Sequence, residues 1–118
     1  MKVDERIKKS IEFNNIIKKG KFLKNKYFVI YYDFKKEDNS RFGIAVGTKI
    51  GNAVTRNKIK RQMREIIKEI KIEFKNNQDY IIMVRKDCLN INYQQKKVNL
   101  LSLINKVDKW EENIEADY

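Results

Sequence analysis

Between Thr55 and Phe74 six of the seven apolar residues, all but Ile72, fall at Ile59, Met63, Ile66, Ile67, Ile70 and Phe74. Steps of four, three, one, three and four bring all six onto one side of a helix and onto no face of a strand. Such a stripe has to be covered by a second apolar layer, because most helical stability in proteins comes from burying that face. Two segments can supply the cover. "YFVIYYDF" (27–34) and "DYIIMVRK" (79–86) are dense in β-branched and aromatic residues and read as strands, the second apolar enough to be central in a sheet.

The remaining elements follow from caps and turns. Ser10 can cap a short helix, "IEFNNIIKK", which Gly20 ends and whose Phe13, Ile16 and Ile17 fall on one side. The polar "KKEDNS" is a turn, so "RFGIAV" (41–46) is expected to pair with 27–34 as an antiparallel hairpin. Asn92 and Gln95 form a capping box that opens a last helix, with Val98, Leu101, Ile104 or Leu103, and Val107 inward. The expected fold class is α+β, an α/β sandwich. A single mixed sheet of about four strands packs with a short N-terminal helix, a long basic helix and a C-terminal helix. With 118 residues the chain is expected to be one domain, 1–118, with the acidic tail "DKWEENIEADY" fraying from about 108.

Charge narrows the function. The net charge is +11, which on a domain of this size points to a polyanionic partner, nucleic acid or an anionic membrane surface. The longest apolar run, Tyr27 to Tyr32, is far short of the about 18 residues a membrane span needs, and "MKVDERIKK" has no apolar segment behind it to make a secretory signal. The chain has no histidine and one cysteine, Cys88. The commonest general acid–base residue is therefore missing, a Cys/His zinc site is excluded and no internal disulfide can form. A single cysteine fits a reducing compartment, and the expected location is the cytoplasm. The default for Cys88 is a small buried apolar role.

From Arg41 to Arg64 there are seven Lys or Arg and no Asp or Glu. On the helical wheel Asn57, Arg61, Arg64 and Lys68 recur roughly opposite the apolar stripe. An ordinary solvated face would interleave both signs to gain i,i+4 pairs, and this one does not. The cluster also occupies the N-terminal turns, where the helix dipole is already positive and cations cost stability. That arrangement suits presenting N–H groups, Asn52, Asn57 and the guanidinium forks of Arg56 and Arg61 to phosphates. Gly51 reads equally as a turn residue or as room for close backbone approach.

The segment "KIGNAVTRNKIKRQMRE" (49–65) resembles the signature of the protein subunit of bacterial ribonuclease P. The match holds at Lys49, Gly51, Asn52, Ala53, Val54, Arg56, Asn57, Lys60, Arg61 and Arg64. The helix ending "KKG", the "FVIYY" and "DYIIMVRK" strands and the closing helix are also similar to the family in order and spacing. The chain departs from the family pattern at Lys58, where arginine is usual, at Ile17, often aromatic, and at Asp87, often proline. Lys58 keeps the charge and loses the bidentate fork.

The resemblance implies a non-catalytic protein subunit of an endoribonuclease whose RNA subunit, with bound Mg²⁺, cleaves the 5′ leader from precursor tRNA. No residue of the chain is expected to be catalytic, and no metal or cofactor is expected to bind it tightly. Lys49, Asn52, Arg56, Asn57, Lys58, Lys60, Arg61, Arg64 and Lys68 would face the catalytic RNA. Phe13, Ile17 and Tyr31 would line a cleft for the leader, where bases stack on aromatic faces. From the residues alone, Phe13 and Tyr31 are at least as well explained as core. The implied partners are the RNA subunit and precursor tRNA, with no membrane and no obligate protein partner.

Three other classes share some of these features. A general RNA-binding or ribosomal protein would carry the same charge pattern. A stand-alone metal nuclease would need Asp33, Asp79 and Asp87, all near strand ends, to converge. A membrane-surface helix would need an apolar face that the core already claims.

Overall fold

The computed structural model describes residues 6–7, 10–35, 39–74 and 77–116, with side chains described as far as Lys106. The elements in chain order are α1 (Ser10–Lys18), β1 (Phe22–Lys24), β2 (Phe28–Phe34), β3 (Arg41–Ala45), α2 (Ala53–Ile70), β4 (Gln78–Val84) and α3 (Tyr93–Ala116). Short 3₁₀ turns stand at Thr48–Ile50, Lys71–Glu73 and Lys86–Asn90. One four-stranded mixed sheet with three helices makes the fold α+β, as expected.

The sheet order is β1-β2-β4-β3, with β2 antiparallel and β3 parallel to β4. The expected hairpin between 27–34 and 41–46 therefore does not form, because β4 lies between the two strands. The cause is the character of β4, which is buried along nearly its whole length and needs a neighbour on both edges. Its neighbours come from β2 and β3. The chain reaches β4 from β3 through α2, the crossover that a parallel pair requires.

Alternation along the strands separates two cores. Phe28, Ile30 and Tyr32 of β2, Phe42 of β3 and Tyr80, Ile82 and Val84 of β4 face α2 and α3. There they meet Ile59, Met63, Ile66, Ile67 and Ile70, the stripe expected from spacing, with Leu100, Leu103 and Ile104. Each such side chain contributes about 1.5–3 kcal/mol. Phe74, also buried, lies just past α2 and meets the rings of Phe42 and Tyr80 edge-on at 4.8 and 4.9 Å. On the opposite face Ile81 joins Ile16 of α1 and Ile7 in a smaller cluster, with Phe13, Ile17 and Tyr31 partly buried against it.

The caps are side-chain built. Asn52 Oδ1 accepts the Thr55 N–H and starts α2, while Asn92 and Gln95 bond each other's backbone N–H reciprocally to start α3. Gly20, at φ 74°, ends α1 in the left-handed region where glycine carries no Cβ penalty. The inward set of α3 differs from expectation. Leu100, Leu103 and Ile104 are buried, Leu101 is half-buried, and Val98 is 54% exposed because the α2 contact falls one step around the helix. The side chain of Val107 lies outside the described side chains; the backbone of α3 runs as helix to Ala116, through most of the stretch expected to fray from about 108.

Candidate nucleic-acid interface

The apolar stripe of α2 is buried against the sheet, so the opposite side of the helix is turned outward. There Asn57, Lys60, Arg61 and Arg64, with Val54, line a shallow depression of about 400 Å³. Lys68 falls below it and borders a separate depression with Lys71 and Ile72. Lys58 is turned around the helix toward α3 and lines a groove between the two helices. Lys49 is exposed on the 3₁₀ turn ahead of α2. The nine positions expected from the sequence thus lie just ahead of α2 or along its length, and six of them, Lys68 included, line three depressions.

Among the described residues, ion pairing takes up basic side chains elsewhere and leaves this cluster unanswered, as it does more dispersed cations such as Lys21, Lys24 and Lys26. Lys19, Lys35, Arg41 and Lys97 all form ion pairs with carboxylates. Among the described residues none of Lys49, Arg56, Lys58, Lys60, Arg61, Arg64 and Lys68 does. Arg41, the first residue of the acid-free run, lies apart from this cluster. It bonds Glu12 at 2.7 Å and Asp79 at 2.8 and 3.2 Å, and its hydrogen bond to Asp79 holds its charge firmly in place.

Two of the expected phosphate ligands also have structural work. The Oδ1 of Asn52 is taken up by the α2 cap, and Arg56 Nε donates to the Gly51 carbonyl at 3.2 Å, fastening the preceding loop to the helix. Gly51 has an extended backbone, φ 162°. What it provides is room, since a Cβ there would come within 3.1 Å of Thr55.

The second expected surface lies on the α1 side of the sheet. Phe13 is over Gly43, Ile17 is half-buried nearby, and Tyr31 stands beside Phe22 with ring centroids 5.6 Å apart. Arg41 joins Glu12 of α1 to Asp79 of β4, tying the helix down over the strands. Burial pushes the Asp79 carboxyl up, but hydrogen bonds from Arg41 and Lys35 outweigh it and hold the group below its usual range. Sequence reasoning missed Val29, Met83 and Ala45, the next row of the same face, half-buried and outside both core clusters. Counting two residues on from Tyr31, Ile81 and Gly43 would have found them.

The three aspartates do not converge. Asp33 and Asp79 are register partners at one end of β4, paired with Lys19 and with Arg41 and Lys35, whereas Asp87 lies beyond the other end. Among the described residues no helix is long and apolar enough to cross a membrane.

Comparison with known proteins gives one family. The family model described as Ribonuclease P matches residues 1–108. The ribonuclease P protein component of Bacillus cereus strain AH187 is 41% identical over 107 residues, covering 90% of this chain and 93% of that one. A Bacillus anthracis counterpart is also 41% identical, covering 90% of each. Among solved structures, a Staphylococcus aureus RNase P protein mutant with defective mRNA degradation activity superposes with a TM-score of 0.82 at 38% identity, covering 89% of each chain. The Thermotoga maritima RNase P protein gives 0.79 at 34%, covering 86% of this chain and 96% of that one.

Proposed function

The chain belongs to the ribonuclease P protein family, and on that premise we propose that it is the non-catalytic protein subunit of an endoribonuclease that matures the 5′ end of tRNA. The observation that carries the proposal is the set of unpaired cations on α2. Lys60, Arg61 and Arg64 share one outward depression, flanked by Lys49, Arg56, Lys58 and Lys68, and no described carboxylate answers any of them. A folded chain that leaves like charges clustered at the positive end of a helix gains from an external polyanion. Phosphates of the catalytic RNA fill that role, held by guanidinium forks and by Asn57.

The α1 cleft takes the 5′ leader of precursor tRNA. Tyr31 and Phe13 offer ring faces, and the half-buried Val29, Met83 and Ala45 extend an apolar floor. Stacking on such a floor is tolerant of sequence, as a subunit serving many precursors requires. On this reading the chemistry belongs to the RNA and its Mg²⁺, and the engagement of Asp33 and Asp79 by Lys19, Lys35 and Arg41 is consistent with it. The place of work on this reading is the cytoplasm.

Reconstitution tests the proposal. With the RNA subunit and a precursor tRNA at low Mg²⁺, adding the protein should raise the rate of a single cut at the mature 5′ end. A rate that does not respond would leave a general RNA-binding protein instead, and cleavage by the protein without RNA would restore the stand-alone nuclease.

A further inference from the structure

The groove between the start of α2 and the turn leading into α3 lies apart from the sheet cleft and shares only Val54 with the lining of the outer depression. Its volume is about 460 Å³, and small-ligand sites typically span about 300–1,000 Å³. Val54, Lys58 and Gln62 stand on the α2 side, with Leu89, Tyr93 and Lys96 across from them.

Lys96 is only 6% exposed. Among the described residues the sole partner of its ammonium is the amide oxygen of Gln62, at 2.9 Å. Burial pulls its pKa down and the charge of Lys58 pulls it further. The neighbouring Cys88 thiol supplies no counter-charge at neutral pH, since burial pushes it up to about 11. A buried ammonium without an acid costs stability, and a second lysine nearby adds to the cost. Both costs fall when an anion enters the groove.

The walls say what the anion is attached to. Val54 is 77% exposed and Leu89 44%, apolar surface at the rim that the core does not use. The Tyr93 ring is fixed beside them by its hydroxyl, which donates to Glu69 at 2.9 Å. Neither helix start competes for the anion, because Asn52 and Asn92 cap α2 and α3 themselves.

We propose that this groove binds one nucleotide of an RNA strand, its phosphate between Lys96 and Lys58 and its base against Leu89, Val54 and the Tyr93 ring. Lys58 adjoins Asn57 in the chain, so a backbone leaving the outer depression of α2 reaches the groove by crossing the helix. The RNA source rests on the function proposed above; the pocket and its chemistry stand without it.

The test uses the protein alone, with 5′-AMP as probe and backbone amide NMR as readout. Saturable shifts are expected at Leu89, Tyr93 and Lys96, displaced by a short single-stranded RNA. Lys96→Met should weaken AMP binding about tenfold or more. It should also melt higher than the wild type without AMP, which removal of a structural lysine would not cause. Leu89→Glu, a rim change that leaves the core intact, should weaken AMP similarly, while Arg61→Ala on the outer stripe keeps the response. Shifts absent from the groove, unchanged in both variants or lost in Arg61→Ala would overturn the site. AMP binding that the RNA cannot displace would overturn RNA as its source. None of these results bears on the outer stripe, which the salt dependence of RNA-subunit binding tests separately.

Discussion

Phe13 covers Gly43 so closely that a Cβ on Gly43 would stand 2.7 Å from Phe13 Cε2. The absence of a side chain in β3 is thus what lets α1 settle over the sheet. Gly43→Ala should tilt the ring away and cost about 1–3 kcal/mol in a denaturant titration. Phe13→Ala keeps the backbone approach and removes one face of the cleft. If the leader stacks there, affinity for precursor tRNA drops by about 1–3 kcal/mol while affinity for leaderless tRNA holds. A core-only Phe13 would lower stability and leave both affinities alone.

Asp79 gives the fold its acid sensitivity. Its carboxyl titrates lower in the folded chain, where Arg41 and Lys35 bond it, than in the unfolded chain, near about 3.9. Its contribution is therefore complete above the unfolded value and is lost as pH falls through the lower folded one. Stability of the wild type should fall more steeply below about pH 4 than that of Asp79→Asn. At neutral pH the variant should be about 2 kcal/mol less stable, less than for a fully buried pair because Arg41 is partly exposed. Chemical denaturation across pH 2.5–7 (about this range suffices) reads both effects.

Asn52 has two roles that charge can separate. Asn52→Ala removes the α2 cap and should cost about 1 kcal/mol. Asn52→Asp keeps the capping oxygen and complements the helix dipole, so stability should hold. The added negative charge lies beside the cations, so RNA affinity should still weaken. Recovered stability together with undiminished RNA binding would remove Asn52 from the interface.

What could be read from the residues was local. The α2 stripe was legible because one periodicity controls five positions from Ile59 to Ile70, and all five are buried; Phe74, the sixth expected, is buried just past the helix. The Asn92–Gln95 box was legible because both partners lie within one turn. Strand order was not. Pairing neighbours in sequence is the default, and the insertion of β4 between β2 and β3 shows only indirectly, in the unbroken apolar run of β4. β1 has three residues, too few to show alternation. That Arg41, which opens the acid-free run, is neutralised could not be read, because Glu12 and Asp79 are remote in sequence. Lys96 was passed over because lysines are rarely buried, and only tertiary contact reveals the exception.

The most direct measurement of the central claim is the salt dependence of binding to the RNA subunit. Each cation that neutralises a phosphate contributes about 0.7–0.9 to the slope of log affinity against log salt. Arg61→Ala with Arg64→Ala should weaken binding and flatten that slope by about 1.5–2. Affinity and slope equal to those of the wild type would mean that the unpaired cations of α2 are a solvated face and that RNA binds elsewhere.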